Sequence, residues 1–464
     1  MKVMKFGGGC LNDAGDLHRA AALAACPPVV IVVSAMAGVT DTLDLILKTV
    51  ANRGRFPAGL FQGLRKRHFD CLENVSAATH GRLNSDLENQ FNRLEEILRG
   101  IACIGEAPPS IQARILGFGE RLASILLAGA LTTRGPAAVP CDAHQCGITA
   151  DRPGTEARID LPETRRRLRR NLKPILRSGR IPVVTGFYGR APDGGTATFG
   201  RNASDYSAAA IACVLEAAEL VIWKGVDGVM TMDPAYGGAP RPVESMTWEE
   251  VEELTHFGAG ILHPLTLEPL RNSRIRVRIR NFRHPERPGT EIVPTIESPG
   301  ERLCGVTCHP SATMMQLSVA PGNGQRVLSR LEEVLSSAAA RVTSLISARD
   351  RIILVMPSED ARSARRALSR SGDSPFRIVR TRDNHALVAV VGQAVRGPRG
   401  LARIMDALAV AGVTIEAIAP GITAPSLCLV VPGHQAGHCL RTIHKQFFPT
   451  AASPPRETST GDEI

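Results

Sequence analysis

Five short stretches carry residue types suited to phosphate and carboxylate chemistry. Lys5 closes a β-branched run and is followed by Gly7, Gly8 and Gly9. Glycines let backbone N–H groups approach a phosphate, a helix start beyond them adds favourable partial charge, and an ammonium can neutralise a transferring phosphoryl group. A glycine run is equally an ordinary turn. Ser34 and Thr40 follow a second apolar run, Val29–Val33, in small-residue surroundings. Ligands of open α/β sheets sit beyond such strand ends, although the same hydroxyls serve as helix caps. Glu120 stands in Gly117-Phe118-Gly119-Glu120-Arg121-Leu122 at the start of an apolar helix, where an acid also complements the helix dipole. Arg201 precedes Asp205 at the start of a small-residue helix, and a guanidinium there can grip a carboxylate with two parallel bonds. Lys224 and Gly225 open a turn-rich loop through Met230 to Pro234, which could hold a nucleoside or form a plain hairpin turn.

These residues need a scaffold, and the first 295 residues supply the pattern for one. Short β-rich runs at Lys2–Phe6, Val29–Val33, Ile181–Thr185, Leu220–Trp223 and Arg276–Ile279 alternate with helical stretches, predicting a mostly parallel sheet covered by helices. Residues 60–103 lack strand runs and place Leu87, Phe91, Leu94 and Leu98 at helical spacing, as in a helical hairpin capping the sheet. The Pro-rich stretch 285–299 reads as a linker, with a boundary near 300. Beyond it the order strand, helix, strand occurs twice, at 314–356 and 387–431. The expected division is 1–295, 304–380, 384–450 and a polar, disordered tail at 451–464.

Composition narrows the function classes. The 464 residues exceed one ordinary core, and 44% hydrophobic with 22% charged content is that of a soluble globular chain. The formal charge of +10 concentrates in an arginine-rich helix over residues 165–180, whose charges surround the helix with no interleaved aromatics. That reads as a solvated face, so no nucleic-acid partner is expected. Eleven scattered cysteines read as reduced thiols in the cytoplasm. No membrane partner is expected either, because the longest apolar run is taken to be Val29–Val33. His434, His438 and Cys439 lie a helical turn apart but lack a fourth ligand, so no metal site is assigned to the protein.

In this order the five stretches resemble the aspartate kinase family, whose usual strings are KFGGTS, VSAMAGVT, GERLS, GRGGSDYSA and WTDVDGVYTADP; Phe257-Gly258-Ala259-Gly260-Ile261-Leu262-His263-Pro264 continues the match. The resemblance implies an α/β amino-acid-kinase three-layer sandwich followed by two βαββαβ ACT domains. It implies phosphorylation of the side-chain carboxylate of L-aspartate by ATP, with Mg2+ accompanying the nucleotide, and a homo-oligomer joined through the ACT domains. Carried over by position, Lys5 would stabilise the phosphoryl group, Gly7 to Gly9 would approach the phosphates, and Asp205 would orient Lys5. Glu120 would take the substrate ammonium and Arg201 a carboxylate, with hydrogen bonds from Ser34 and Thr40. Lys224, Gly225 and Met230 would line the nucleotide.

Departures from the family strings fall mainly on the nucleotide side. Gly9 and Cys10 replace Thr and Ser, Lys224 and Gly225 replace Thr and Asp, Met230 replaces Tyr, Ala235 replaces a basic residue and Gly260 stands where many relatives have Lys. Ser347-Ala348-Arg349 and Ile422-Thr423-Ala424 lack the acid of the usual effector string, which predicts weak or absent inhibition by lysine and threonine. Two rival readings remain at this level: an impaired homologue acting as an amino-acid sensor or partner subunit, and a kinase for another amino-acid carboxylate.

Overall fold

The computed structural model describes residues 1–449 except 76–79, 259, 261, 272, 297–301, 320–323, 339, 349, 371–374 and 421–425. The expected tail at 451–464, Arg349 and the string Ile422-Thr423-Ala424 lie outside the described residues. Two compact units emerge: Met1–Val229 with Pro242–Trp248 and Gly260–Ile296, and Met230–Arg241 with Glu249–Ala259 and Glu297–Ile464.

The first unit is built on strands β1 (Lys2–Phe6), β2 (Val29–Val33), β3 (Ala138–Cys141), β4 (Ile181–Thr185), the hairpin β5 (Tyr188–Arg190) and β6 (Thr196–Thr198), β7 (Glu219–Lys224), β8 (Ser245–Thr247), β9 (Arg276–Asn281) and β10 (Thr290–Val293). Eight of them form one sheet in the order β3-β4-β2-β1-β7-β9-β10-β8, in which only the β9–β10 pair is antiparallel. All five residues of β2 are buried, and Val29, Ile31 and Val33 join one apolar core while Val30 and Val32 face the other way. A strand covered on both faces has no polar alternation, which is why it reads as a continuous apolar run. β10 lies within the stretch expected to be linker: Thr290 is fully buried and pairs with Ile279 despite the neighbouring prolines.

Helices α1 (Ala14–Ala24), α2 (Val39–Arg53), α3 (Ala58–Glu73), α4 (His80–Ile104), α5 (Pro109–Leu116) and α6 (Phe118–Thr132) supply one core, and Leu87, Phe91, Leu94 and Leu98 are buried in it as their spacing predicts. Helices α7 (Ala143–Cys146), α8 (Leu161–Arg177) and α9 (Ser204–Leu215) follow, with α8 packed on α9 and β4. Pro109–Thr132, longer than the Val29–Val33 run, is the only described stretch long and apolar enough to cross a membrane; 83% of its apolar window is buried in the fold, as for a core helix.

After the Met230–Arg241 segment the second unit takes in most of α10 (Trp248–His256) and continues through β11 (Gly305–Val319), α11 (Gly324–Ser337), β12 (Ser344–Ala348), β13 (Arg351–Pro357), α12 (Ser358–Arg370), β14 (Phe376–Val391), α13 (Pro398–Val410), β15 (Ala417–Pro420), β16 (Ser426–Pro432) and α14 (Ala436–Phe447). Its antiparallel sheet runs β12-β13-β11-β14-β16-β15. The two βαββαβ repeats interlock instead of following each other. Met315 and Leu317 pack with Leu331, Leu354 and Phe376, whereas Leu303, Val306 and Cys308 pack with Val388, Leu429 and Ile443. The start of β11 therefore completes the second repeat, and the ladder shifts register around Pro310, between His309 and Ala312. Cys439 is buried in that second core, where desolvation pushes its thiol up to about 12.

Candidate active site

Register places the chemistry. Phe6 pairs with Val33 on one side and Trp223 on the other, and Val33 pairs with Thr185, so the loops after β1, β2, β4 and β7 leave one edge of the sheet together. Lys5 reaches Asp205, in the first turn of α9, at 2.7 Å. Lys224, at the end of β7, meets the other oxygen of the same carboxylate at 3.2 Å. Lys5 and Asp205 are buried. Burial opposes ionisation of Asp205, but the two ammonium groups prevail and hold its pKa below the usual range. Desolvation and the proximity of Lys5 pull the Lys224 pKa down, against the attraction of Asp205. Two cations thus converge on one anion.

The glycine loop is shaped by close approach. A Cβ on Gly8 would lie 2.9 Å from the Ala35 carbonyl oxygen, and one on Gly7 would lie 3.3 Å from Lys5 Nζ. At Gly9 a Cβ would meet nothing within 4 Å, so this backbone faces open space. The Ser34 N–H donates to the Phe6 carbonyl at 3.1 Å, joining this loop to the next.

Glu120 completes the cluster from α6. Its Oε1 accepts the Ala35 N–H at 3.0 Å, while the buried Oε2 has no partner among the described residues. Desolvation pushes its pKa up to about 7. A buried carboxylate with one unfilled oxygen is suited to a cationic group on a ligand. The Ser34 and Thr40 hydroxyls do not cap α2, whose N-cap is Gly38 in a left-handed conformation. Arg201 stands apart from Lys5 and Glu120: it is 74% exposed and pairs with Asp41 at 3.1 Å and Asp44 at 3.6 Å on α2. Gly225 has open space around it, and Met230 falls in the second unit.

Three contributors were not singled out from the sequence. Arg67 on α3 donates to the Ala37 carbonyl at 2.7 Å and the Asn12 carbonyl at 3.1 Å, tying together two of the loops. Phe187 sits at φ 74°, an uncommon conformation for a bulky residue, with its N–H donated to Ser207 Oγ at 3.1 Å. His263 stacks on Tyr206 with ring centroids 6.0 Å apart. Phe187 and His263 each had a local signal, a glycine-flanked place in Gly186-Phe187-Tyr188-Gly189 and a place in the Phe257–Pro264 string, whereas Arg67 had none.

This cluster lies inside a segment, residues 1–281, that matches the amino acid kinase family. The chain belongs to the amino acid kinase family. This amino acid kinase also matches the ACT domain family over residues 388–447. It is 29% identical to aspartokinase 1, chloroplastic, of Arabidopsis thaliana, over 96% of this chain and 80% of the relative. It is 26% identical to the bifunctional aspartokinase/homoserine dehydrogenase 1, chloroplastic, of the same plant, over 96% of this chain and 51% of the relative. Among solved structures, the kinase is similar in fold to E. coli aspartokinase III in complex with aspartate and ADP, with a TM-score of 0.83, 24% identity and coverage of 97% and 100% of the two chains. Clostridium acetobutylicum aspartate kinase gives 0.77 at 20% identity, covering 96% and 100%.

Proposed function

We propose that this amino acid kinase transfers the γ-phosphoryl group of ATP to the side-chain carboxylate of L-aspartate, giving 4-phospho-L-aspartate and ADP. The observation that carries the reading is Asp205 shared by Lys5 and Lys224 beside the glycine loop, with the half-satisfied Glu120 joined to that loop through Ala35. The aspartokinase names of its relatives supply the acceptor.

In the reaction a carboxylate oxygen of the substrate bonds to the γ-phosphorus as the bond to the β–γ bridging oxygen breaks, and that electron pair leaves with ADP. The carboxylate is already nucleophilic, so no general base is required. Lys5 and Lys224 offset charge on the oxygens in flight, and Asp205 holds both ammonium groups in place. Glu120 receives the substrate ammonium, Ser34 and Thr40 donate hydrogen bonds, and Arg201 turns from Asp41 to a substrate carboxylate. Gly7, Gly8 and Gly9 admit the phosphates and Gly225 borders the nucleoside; Mg2+ would come with the nucleotide and add charge neutralisation, since Asp205 is already committed to two cations. The same reading includes cytoplasmic location, self-association through the ACT domains and supply of lysine, threonine or methionine synthesis.

The test is trapping of the acyl phosphate with hydroxylamine, using ATP and a panel of amino-acid carboxylates. Lys5→Ala is expected to lose about 100- to 1000-fold in rate. Lys224→Ala is expected to raise the KM for ATP far more than that for aspartate. Absence of any hydroxamate from the wild-type chain would favour a sensor or partner subunit, and a preferred acceptor other than aspartate would reassign the substrate.

A further inference from the structure

We propose that a second cavity in the first unit, lined by arginines and separate from the residues of the phosphoryl-transfer site, binds a small polyanion bearing several phosphate or carboxylate groups. The cavity has a volume of about 820 Å³ and is walled by α4, α5, the start of α6, the β3–α7 turn, α8 and the β5–β6 hairpin. It contains none of Lys5, Ser34, Glu120, Arg201, Asp205 or Lys224.

Its charge is lopsided. Seven arginines face it against two aspartates, Asp86 and Asp142. Arg121 is committed to Asp142 at 2.5 Å, and Arg167 pairs with Glu163. Among the described residues, Arg82, Arg93, Arg114, Arg170 and Arg190 have no carboxylate within ion-pair distance. Guanidinium groups gathered in a concave wall concentrate positive potential, and their planar forks match phosphate and carboxylate oxygens two at a time. Burial and the neighbouring Arg93 and Arg121 depress the Arg114 pKa, so its charge gains from an arriving anion.

The floor is rigid. The Arg121 guanidinium lies 4.9 Å from the Phe118 ring centre and 4.8 Å from that of Tyr188, and the Tyr188 hydroxyl donates to Asp142 at 2.9 Å. Because Arg121 covers both aromatic faces, no stacking platform for nucleic-acid bases remains there. The volume falls within the range of about 300–1000 Å³ usual for small-molecule sites and far exceeds the needs of one phosphate.

The test is calorimetric titration of the full chain, without magnesium, using tripolyphosphate in one arm and citrate in the other. Three proteins are compared: wild type, Lys5→Ala, and the double variant Arg93→Glu/Arg170→Glu, whose positions are exposed on helix surfaces. The expected result is a binding event retained in Lys5→Ala and weakened at least tenfold in the double variant, with an unchanged melting temperature. The arm that binds more tightly tells a phosphorylated ligand from a polycarboxylate. The proposal is overturned if neither anion binds, or if the double variant binds as well as wild type. It is equally overturned if the double substitution changes only the oligomeric state seen by light scattering, since the cavity wall would then be a contact between copies. The readout is binding, so its outcome is independent of whether aspartate is phosphorylated.

Discussion

The residue with the clearest conflict between folding and function is Glu120. It is 3% exposed, accepts one backbone N–H, and burial has moved its pKa from about 4.5 to about 7. A carboxyl raised in this way favours the fold while protonated, and that contribution fades as pH rises from the unfolded pKa through the folded one. At about 1.4 kcal/mol per pH unit of displacement, keeping it ionised above pH 7 costs the apoprotein on the order of 3 kcal/mol. Glu120→Gln should therefore raise the melting temperature by several degrees at pH 8 and by little at pH 4.5, while abolishing tight aspartate binding. In the wild type the KM for aspartate should climb as pH falls below about 7, because the protonated acid cannot pair with an ammonium. A melting temperature unchanged by the substitution at pH 8 would mean that Glu120 is not strained by burial. The string around Glu120 was visible in the sequence, but its unfilled oxygen was not, because that depends on Ala35 approaching from another loop.

Among the elements, α3 does more than cap the sheet. Arg67 reaches from it to two carbonyls, on the loops that follow β1 and β2, and holds the glycine turn against the Ala35–Ala37 backbone. Hydrogen bonds from a charged donor contribute about 1.5–3 kcal/mol each. Arg67→Ala should lower kcat/KM for both substrates at least tenfold. Arg67→Lys should restore thermal stability better than activity, since one ammonium cannot span both carbonyls in the geometry of a fork. Equal recovery of activity and stability by the lysine variant would reduce Arg67 to a packing residue. The absence of strand runs over residues 60–103 put a helical hairpin here, with helical spacing read in α4, yet it could not say which loops α3 meets. The β10 strand shows the same limit, because local composition favours a linker and pairing with β9 and β8 makes it a strand.

At the scale of the whole molecule, the chain does not divide at one point near residue 300. Segments Met230–Arg241 and Glu249–Ala259 precede that point but pack in the second unit. There Thr231 Oγ1 meets His444 Nε2 at 2.8 Å, Ser426 Oγ donates to Glu253 at 2.5 Å, and Met232 and Phe257 are 1% exposed in apolar clusters with residues after 300. A chain truncated after Ile296 would present those side chains to water. It should melt well below the full-length protein and bind a hydrophobic dye; a truncated chain as stable and as active as the full one would show that these segments repack on their own. The loop that begins at Lys224 in one unit thus ends in the other.

Sequence alone determined the strands that are buried on both faces, the helical hairpin and the five motifs, because each is set by neighbours a few residues away or by a string that chemistry ties to phosphate. It could not determine which motifs share a cavity. That was decided by the parallel register of β1, β2, β4 and β7, which brings Lys5, from the start of the chain, and Lys224 onto the Asp205 carboxylate. Tertiary structure also decided that Arg201 pairs with α2, that seven arginines from distant segments face one cavity, and that the two βαββαβ repeats interlock through β11 and β14. Each of these rests on contacts between residues far apart in the chain, and such contacts leave no mark on local composition or spacing.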